Sequence, residues 1–215
     1  MSIYPELGQL PLDDLMQRWH KGPEGAKEYA ASYYDELVWL LREQGEIGIK
    51  FLLSQVGNSD TDQLAAILEM LPPIGPRKTM EKIWERFLDD SRPEIVASTS
   101  DGLRKQHSWW IRDRVYALRN HSSPYVRGSV LRYMSQLDRK LASVMLIEAL
   151  ADPHPIVREN AIDELDELGV IHAIPSIKEC LTDQNSHVRQ AAQTAVENLE
   201  ELAKDDRHSN YFIQR

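Results

Sequence analysis

The chain has 215 residues, 42% apolar and 27% charged, with 34 Asp and Glu against 25 Lys and Arg for a net charge of −9. That composition supplies one or two packed domains and excludes disordered or collagenous architecture. The single Cys excludes an internal disulfide, no apolar run reaches the ~20 residues of a membrane helix, and the opening Met1-Ser2-Ile3-Tyr4-Pro5-Glu6 has no signal-peptide pattern. A cytoplasmic protein is expected.

Taken in chain order, Leu12 to Trp19 predicts a short helix ahead of the loop Lys21-Gly22-Pro23-Glu24-Gly25. Lys27 to Glu43 predicts a long amphipathic helix with Tyr33, Leu37, Leu40 and Leu41 on one side. Ile47 to Val56, the loop Gly57-Asn58-Ser59-Asp60 and the run Leu64, Ile67, Leu68, Leu71 predict a helical hairpin. The tract Pro72-Pro73-Ile74-Gly75-Pro76 cannot continue a helix and predicts a bend between repeats, or else the edge of a separate N-terminal domain. Lys78 to Leu88, then Asp89-Asp90-Ser91-Arg92-Pro93 and a helix through Ile95 and Val96, predict a further hairpin.

Beyond this the chain repeats. Val126-Arg127, Val157-Arg158 and Val188-Arg189 stand 31 residues apart. Four, eight and eleven residues after each Val come Val130, Met134, Leu137, then Ala161, Leu165, Leu168, then Ala192, Val196, Leu199, the spacing of one helical face. Upstream the same register aligns Val115, Leu146 and Ile177, and Leu118, Ala149 and Cys180, which gives each unit a first helix. One hairpin leaves an apolar face uncovered, so the units must stack to bury a core. No segment alternates at period 2, and an all-α fold follows.

From Arg112 to Leu199 the units resemble HEAT repeats, in particular the short HEAT-like class also found in phycobilisome lyases. The resemblance rests on the loop residues Asp152 and Asp183, the Val-Arg pairs, and the small and apolar residues after them, such as Ala161-Ile162 and Ala191-Ala192. It weakens over Ile47 to Gln106 and is absent before that. It implies an α-solenoid, a right-handed superhelix of about five repeats over 46–215 with a bend near 72–76, behind an N-terminal helical cap at 1–45. It also implies that Arg127, Arg158 and Arg189 pair with loop Asp residues as an internal structural ladder through Asp152 and Asp183. Asn120-His121 stands where that pattern expects an Asp.

Motifs for catalysis are missing: there is no Gly-rich phosphate loop, no His-Glu-x-x-His and no Cys-x-x-Cys. No His is followed by Glu, the dipeptide with which helical-repeat di-iron hydroxylases hold their metal. No catalytic residue, metal or cofactor is therefore assigned, and Cys180 reads as a small core residue.

Charge is unevenly spread. Residues 1–72 carry a net −7, residues 73–139 a net +5, and residues 140–215 a net −7. Within the basic band, Trp109, Trp110, Arg112, Arg119, Arg132 and Tyr133 interleave cations and aromatics, the side chains that dominate protein interfaces. Adjacent Trp residues point about 100° apart on a helix, so one of the pair is expected at the surface or wedged between units. The alternative is an ordinary repeat junction. A second candidate surface is the acidic set Glu159, Asp163, Asp166 and Glu167, on the side of its helix away from the apolar stripe, with a solvated helix face as the alternative.

These features favour a non-enzymatic scaffold or assembly module that binds another protein on its repeat surface. A bilin lyase or chromophore-handling factor working with a partner subunit, with a bilin or antenna protein as its target, is the alternative that the resemblance implies. A nucleic-acid-binding or glycosylase-like role fits poorly, because phosphate neutralisation needs more basic charge than this chain carries.

Overall fold

A computed structural model describes residues 4–23, 30–71 and 77–213, with side chains given outside 77–80 and 205–213. Among the described residues there is no strand, and the fold is all-α. Contacts divide the chain into two compact units, Met1–Ile111 and Arg112–Arg215. The predicted bend at 72–76 lies outside the described residues.

The first unit contains α1 (Leu12–Lys21), α2 (Ala30–Glu43), α3 (Glu46–Gln55), α4 (Thr61–Met70), α5 (Arg77–Phe87) and α6 (Pro93–Lys105). Here α2, α4 and α6 pack side by side, and α1, α3 and α5 lie against them. The start of the chain shares this core. Leu7, Leu15 and Trp19 are buried, Tyr4 meets Tyr33 edge-on at 5.1 Å, and Trp19 meets Phe51 of α3 at 6.3 Å. Polar groups fasten the same seam: the Gln63 side-chain amide donates to the Trp19 carbonyl at 2.8 Å. Its side-chain oxygen closes a capping box with Asp60, which starts α4.

One crossing in this unit is unusually close. The Leu68 carbonyl lies four residues before Pro72, which has no N–H to offer it. Trp84 of α5 supplies the donor instead, its indole N–H reaching that carbonyl at 2.8 Å from a buried position. Gly102 of α6 leaves the room: a Cβ there would sit 1.9 Å from the same oxygen and 3.0 Å from Trp84 Nε1.

The second unit contains α7 (Arg112–Ala117), α8 (Pro124–Leu137), α9 (Arg139–Ala149), α10 (Pro155–Glu167), α11 (Ile174–Glu179) and α12 (Ser186–Ile213). Here α8, α10 and α12 form one layer, and α7, α9 and α11 lie against it. The 31-residue register is visible in burial. Val126, Val157 and Val188 are buried, as are Val115, Leu146 and Ile177 on the facing helices. Leu137 and Leu168, at the ends of their stripes, are only half-buried. The register also extends upstream, because Leu64 and Ile95 stand at successive 31-residue steps before Val126 and are buried too. Pro93, Pro124 and Pro155 repeat with it, each opening its helix where a missing N–H costs nothing.

Candidate functional site

The arginines after the repeated valines point across repeats. Arg127 makes a bidentate pair with Asp152 of the next loop, at 2.8 and 2.7 Å, and donates to the His121 carbonyl at 2.8 Å. Arg158 does the same with Asp183, at 2.7 and 2.7 Å, and donates to the Asp152 carbonyl. Each Asp also takes a backbone N–H two residues on, from His154 and Asn185, so every carboxylate bridges a turn to a neighbouring repeat. Among the described residues Arg189 reaches only the carbonyls of Asp183 and Gln184. His121, where an Asp was expected, keeps the turn by accepting from the Ser123 N–H at 3.0 Å. The position that would pair with it, 31 residues before Arg127, is Val96, so an Asp there would find no Arg.

These contacts shift the carboxylates. Burial alone would raise Asp152, but the Arg127 guanidinium and the His154 N–H outweigh it and hold the group below its ordinary 3.8. The Arg158 hydrogen bonds hold Asp183 below 3.8 as well, against the opposing effect of burial. A carboxylate depressed in the folded state adds stability above its unfolded pKa and loses it as pH falls through the folded value. Thermal stability of the second unit is therefore expected to drop as pH falls below about 4. Asp152→Asn/Asp183→Asn should be less stable at pH 7 and flatter in that acid limb; a limb as steep as the parent's would show that other groups drive it.

The two tryptophans lie at the end of the first unit. After α6 the chain reverses at His107, whose φ of 51° is in the left-handed region, and a single 3-10 turn, Trp109–Ile111, follows. Within that turn Ile111 is buried, while Trp109 is 68% and Trp110 40% exposed. The helix argument expected one outward ring; both are outward because the segment is a tight turn and not a continuous helix.

The rest of the basic band belongs to the second unit and is more tied down than its composition suggests. Arg112 is exposed, 3.4 Å from Asp113. Arg119 lies over the Tyr116 ring at 4.4 Å and donates to the Tyr116 carbonyl. Arg132 is half-buried and donates to Asn160 of α10 at 2.9 Å. Tyr133 is 0% exposed, with burial driving its phenol pKa up, so it is a core residue and is removed from the candidate surface. Gly128 and Ser135, on the same helix α8, are also buried. A Cβ at Gly128 would sit 2.7 Å from Asn160 Nδ2, and the Ser135 hydroxyl donates to Glu164. That face of α8 packs α10.

The acidic face of α10 is more open. Asp163 and Glu167 are exposed, Glu159 is half-buried, and Asp166 accepts from Asn198 of α12 at 2.7 Å. Asp163 is raised above its ordinary value by partial desolvation, then by Glu159 and Asp166. At the loop edge of the unit, a cavity of about 250 Å³ is lined by Tyr116, Arg119, Leu131, Met145 and Glu148, with the Arg127–Asp152 pair. Cys180 is buried and its thiol raised, mainly by that burial. No cluster of three metal-ligating side chains occurs among the described residues, and no described helix is long and apolar enough to cross a membrane.

Residues 111–197 match the family of HEAT repeats. The fold as a whole has solved counterparts. YibA of Escherichia coli superposes with a TM-score of 0.62 at 16% identity, covering 94% of this chain and 78% of its own. Two engineered proteins superpose at 0.56 and 0.55 with 17% and 14% identity, covering 90% and 88% of this chain and 100% and 96% of theirs. At these identities the likeness shows the fold alone. No curated protein sequence matches the chain.

The periodicity did not reveal the cross-helix polar bonds Arg132–Asn160, Ser135–Glu164 and Asp166–Asn198. The signal was present, since these residues stand 28 to 32 apart, close to the 31-residue repeat. What it lacked was the tilt of one helix on the next.

Proposed function

We propose that this HEAT-repeat protein is a non-enzymatic scaffold that binds a partner protein on its helical surfaces. The observation that carries the reading is the exposure of Trp109 and Trp110 side by side. Two large aromatic rings open to water have no role in the core of their own unit, and Trp anchors dominate interface energies. In the second unit, the open acidic face of Asp163 and Glu167 and the exposed Arg112 and Arg119 offer polar contacts of both signs. A repeat array needs no catalytic motif for such work.

The test compares proteins captured by the immobilised chain with those captured by Trp109→Ala/Trp110→Ala, after thermal melts show equal folding. A partner retained by the parent and reduced about tenfold or more by the variant is expected. Identical capture by both would remove the pair as an anchor. A bilin-handling role rests on the resemblance of the repeats and would appear as a shift of bilin absorbance on mixing. Arg112→Ala/Arg119→Ala should then abolish that shift.

A further inference from the structure

The second unit has an acidic sequence, yet one groove on it is purely basic. Over Arg112–Arg215 acidic side chains outnumber basic ones by 16 to 13. Between the start of α9 and the loop after α10, however, Arg139, Lys140 and His172 line a groove of about 590 Å³ that, among the described residues, no carboxylate lines. Its floor is aliphatic, from Val170 and Ile171. That volume is within the ~300–1,000 Å³ of ordinary ligand sites, and the groove is open along one side.

Its basic side chains are available. Lys140 Nζ and the His172 ring have no hydrogen-bond or ion-pair partner among the described residues, and both residues are exposed. Among the described residues Arg139 makes only a long contact, 3.4 Å, to the Gly169 carbonyl. The carboxylate nearest in sequence, Asp138, faces the other way in function: it caps α9 by accepting the N–H groups of Lys140 and Leu141 at 3.1 and 3.0 Å. Gly169, at φ 62°, makes the turn that brings Val170 and His172 back toward α9. Leu141 and Val144, next along α9, are exposed and extend the apolar surface past the cations.

We infer that this groove binds an acidic peptide segment that carries aliphatic anchors, on a partner protein. This deepens the scaffold reading and rests on it. Charge complementarity argues for the occupant: two cations and an imidazole converge on an aliphatic floor, so carboxylates meet Arg139, Lys140 and the His172 ring while Leu-like side chains cover Val170 and Val144. Attraction of this kind steers association and weakens as salt rises. A continuous peptide fits the open groove and its exposed apolar extension better than a small anion, which would leave Leu141 and Val144 uncovered.

The experiment is fluorescence anisotropy of the whole chain with a fluorescein-labelled Glu-Glu-Leu-Leu-Glu-Glu peptide. A Lys-for-Glu version is the charge control, and the titration is repeated at two salt concentrations. The expected result is saturable binding that Lys140→Glu/His172→Glu weakens about tenfold or more, while Arg119→Glu, at the opposite loop edge of the unit, changes it less than about twofold. Both altered side chains are exposed, and equal melts confirm that the variant is folded. Equal loss in the two variants would mean unspecific charge attraction and would overturn the groove, as would equal binding of the Lys peptide or no saturable binding. Failure here with Trp109/Trp110-dependent capture intact would remove the groove and leave the scaffold. Failure of both would remove both.

Discussion

Leu165→Ala is expected to destabilise the second unit by roughly 2–5 kcal/mol, the range for a fully buried aliphatic side chain cut back to Ala. Leu165 is 0% exposed and lies on the stripe of α10 with Val157, Ala161 and Ile162. Because α10 packs against α8, α9 and α12, the void opens at the centre of the stack, where no single helix can shift to fill it without loosening another. Its neighbours Ala161 and Val157 are small and cannot reach across. Chemical denaturation of parent and variant would measure the cost, and a loss below about 1 kcal/mol would contradict the burial described here.

Trp84→Ala should cost the first unit about 3–5 kcal/mol, and the cost has two separable parts. One is the volume of a buried indole between α4 and α6. The other is the Leu68 carbonyl, which loses the indole donor that stands in for the N–H Pro72 lacks. Trp84→Phe keeps most of the ring and removes the N–H, so it isolates the second part, expected at about 1–3 kcal/mol for a buried acceptor left unpaired. Gly102→Ala attacks the same crossing from the other side, since its Cβ would overlap the Leu68 oxygen. If Trp84→Phe were as stable as the parent, the indole hydrogen bond would not explain the crossing.

Much of the architecture was legible because burial in stacked helices leaves a periodic trace. Val126, Val157 and Val188 mark helices that must each cover the same kind of neighbour, so the same residue type recurs at the same step. Leu64 and Ile95 belong to that series, but with no Arg after either the shared register is hard to see. Pro93, Pro124 and Pro155 open helices at the same step for a local reason: only the first turn accepts a residue without an N–H.

The candidate surface was less legible, since exposure is decided by what packs on a residue and not by its own type. Tyr133 and Arg132 are neighbours with similar interface credentials, yet one is core and the other is tied to Asn160. Gly128 and Ser135 are small and carry no apolar signal, and the approach of α10 buries both. The basic groove is not legible in the sequence because Arg139 and Lys140 open α9 and His172 lies about thirty residues on, so they look like scattered charge until the turn at Gly169 brings them together.

By itself, then, the sequence determined the helical class and the 31-residue register, because both depend on local spacing, while the Arg–Asp pairs were implied by the resemblance of the repeats. The tertiary structure decided which Trp rings face water, where Gly102 lets two helices close, and which basic side chains gather in one groove. Those depend on helix tilt and loop direction, which a change of a few degrees can alter and which no single stretch of sequence encodes.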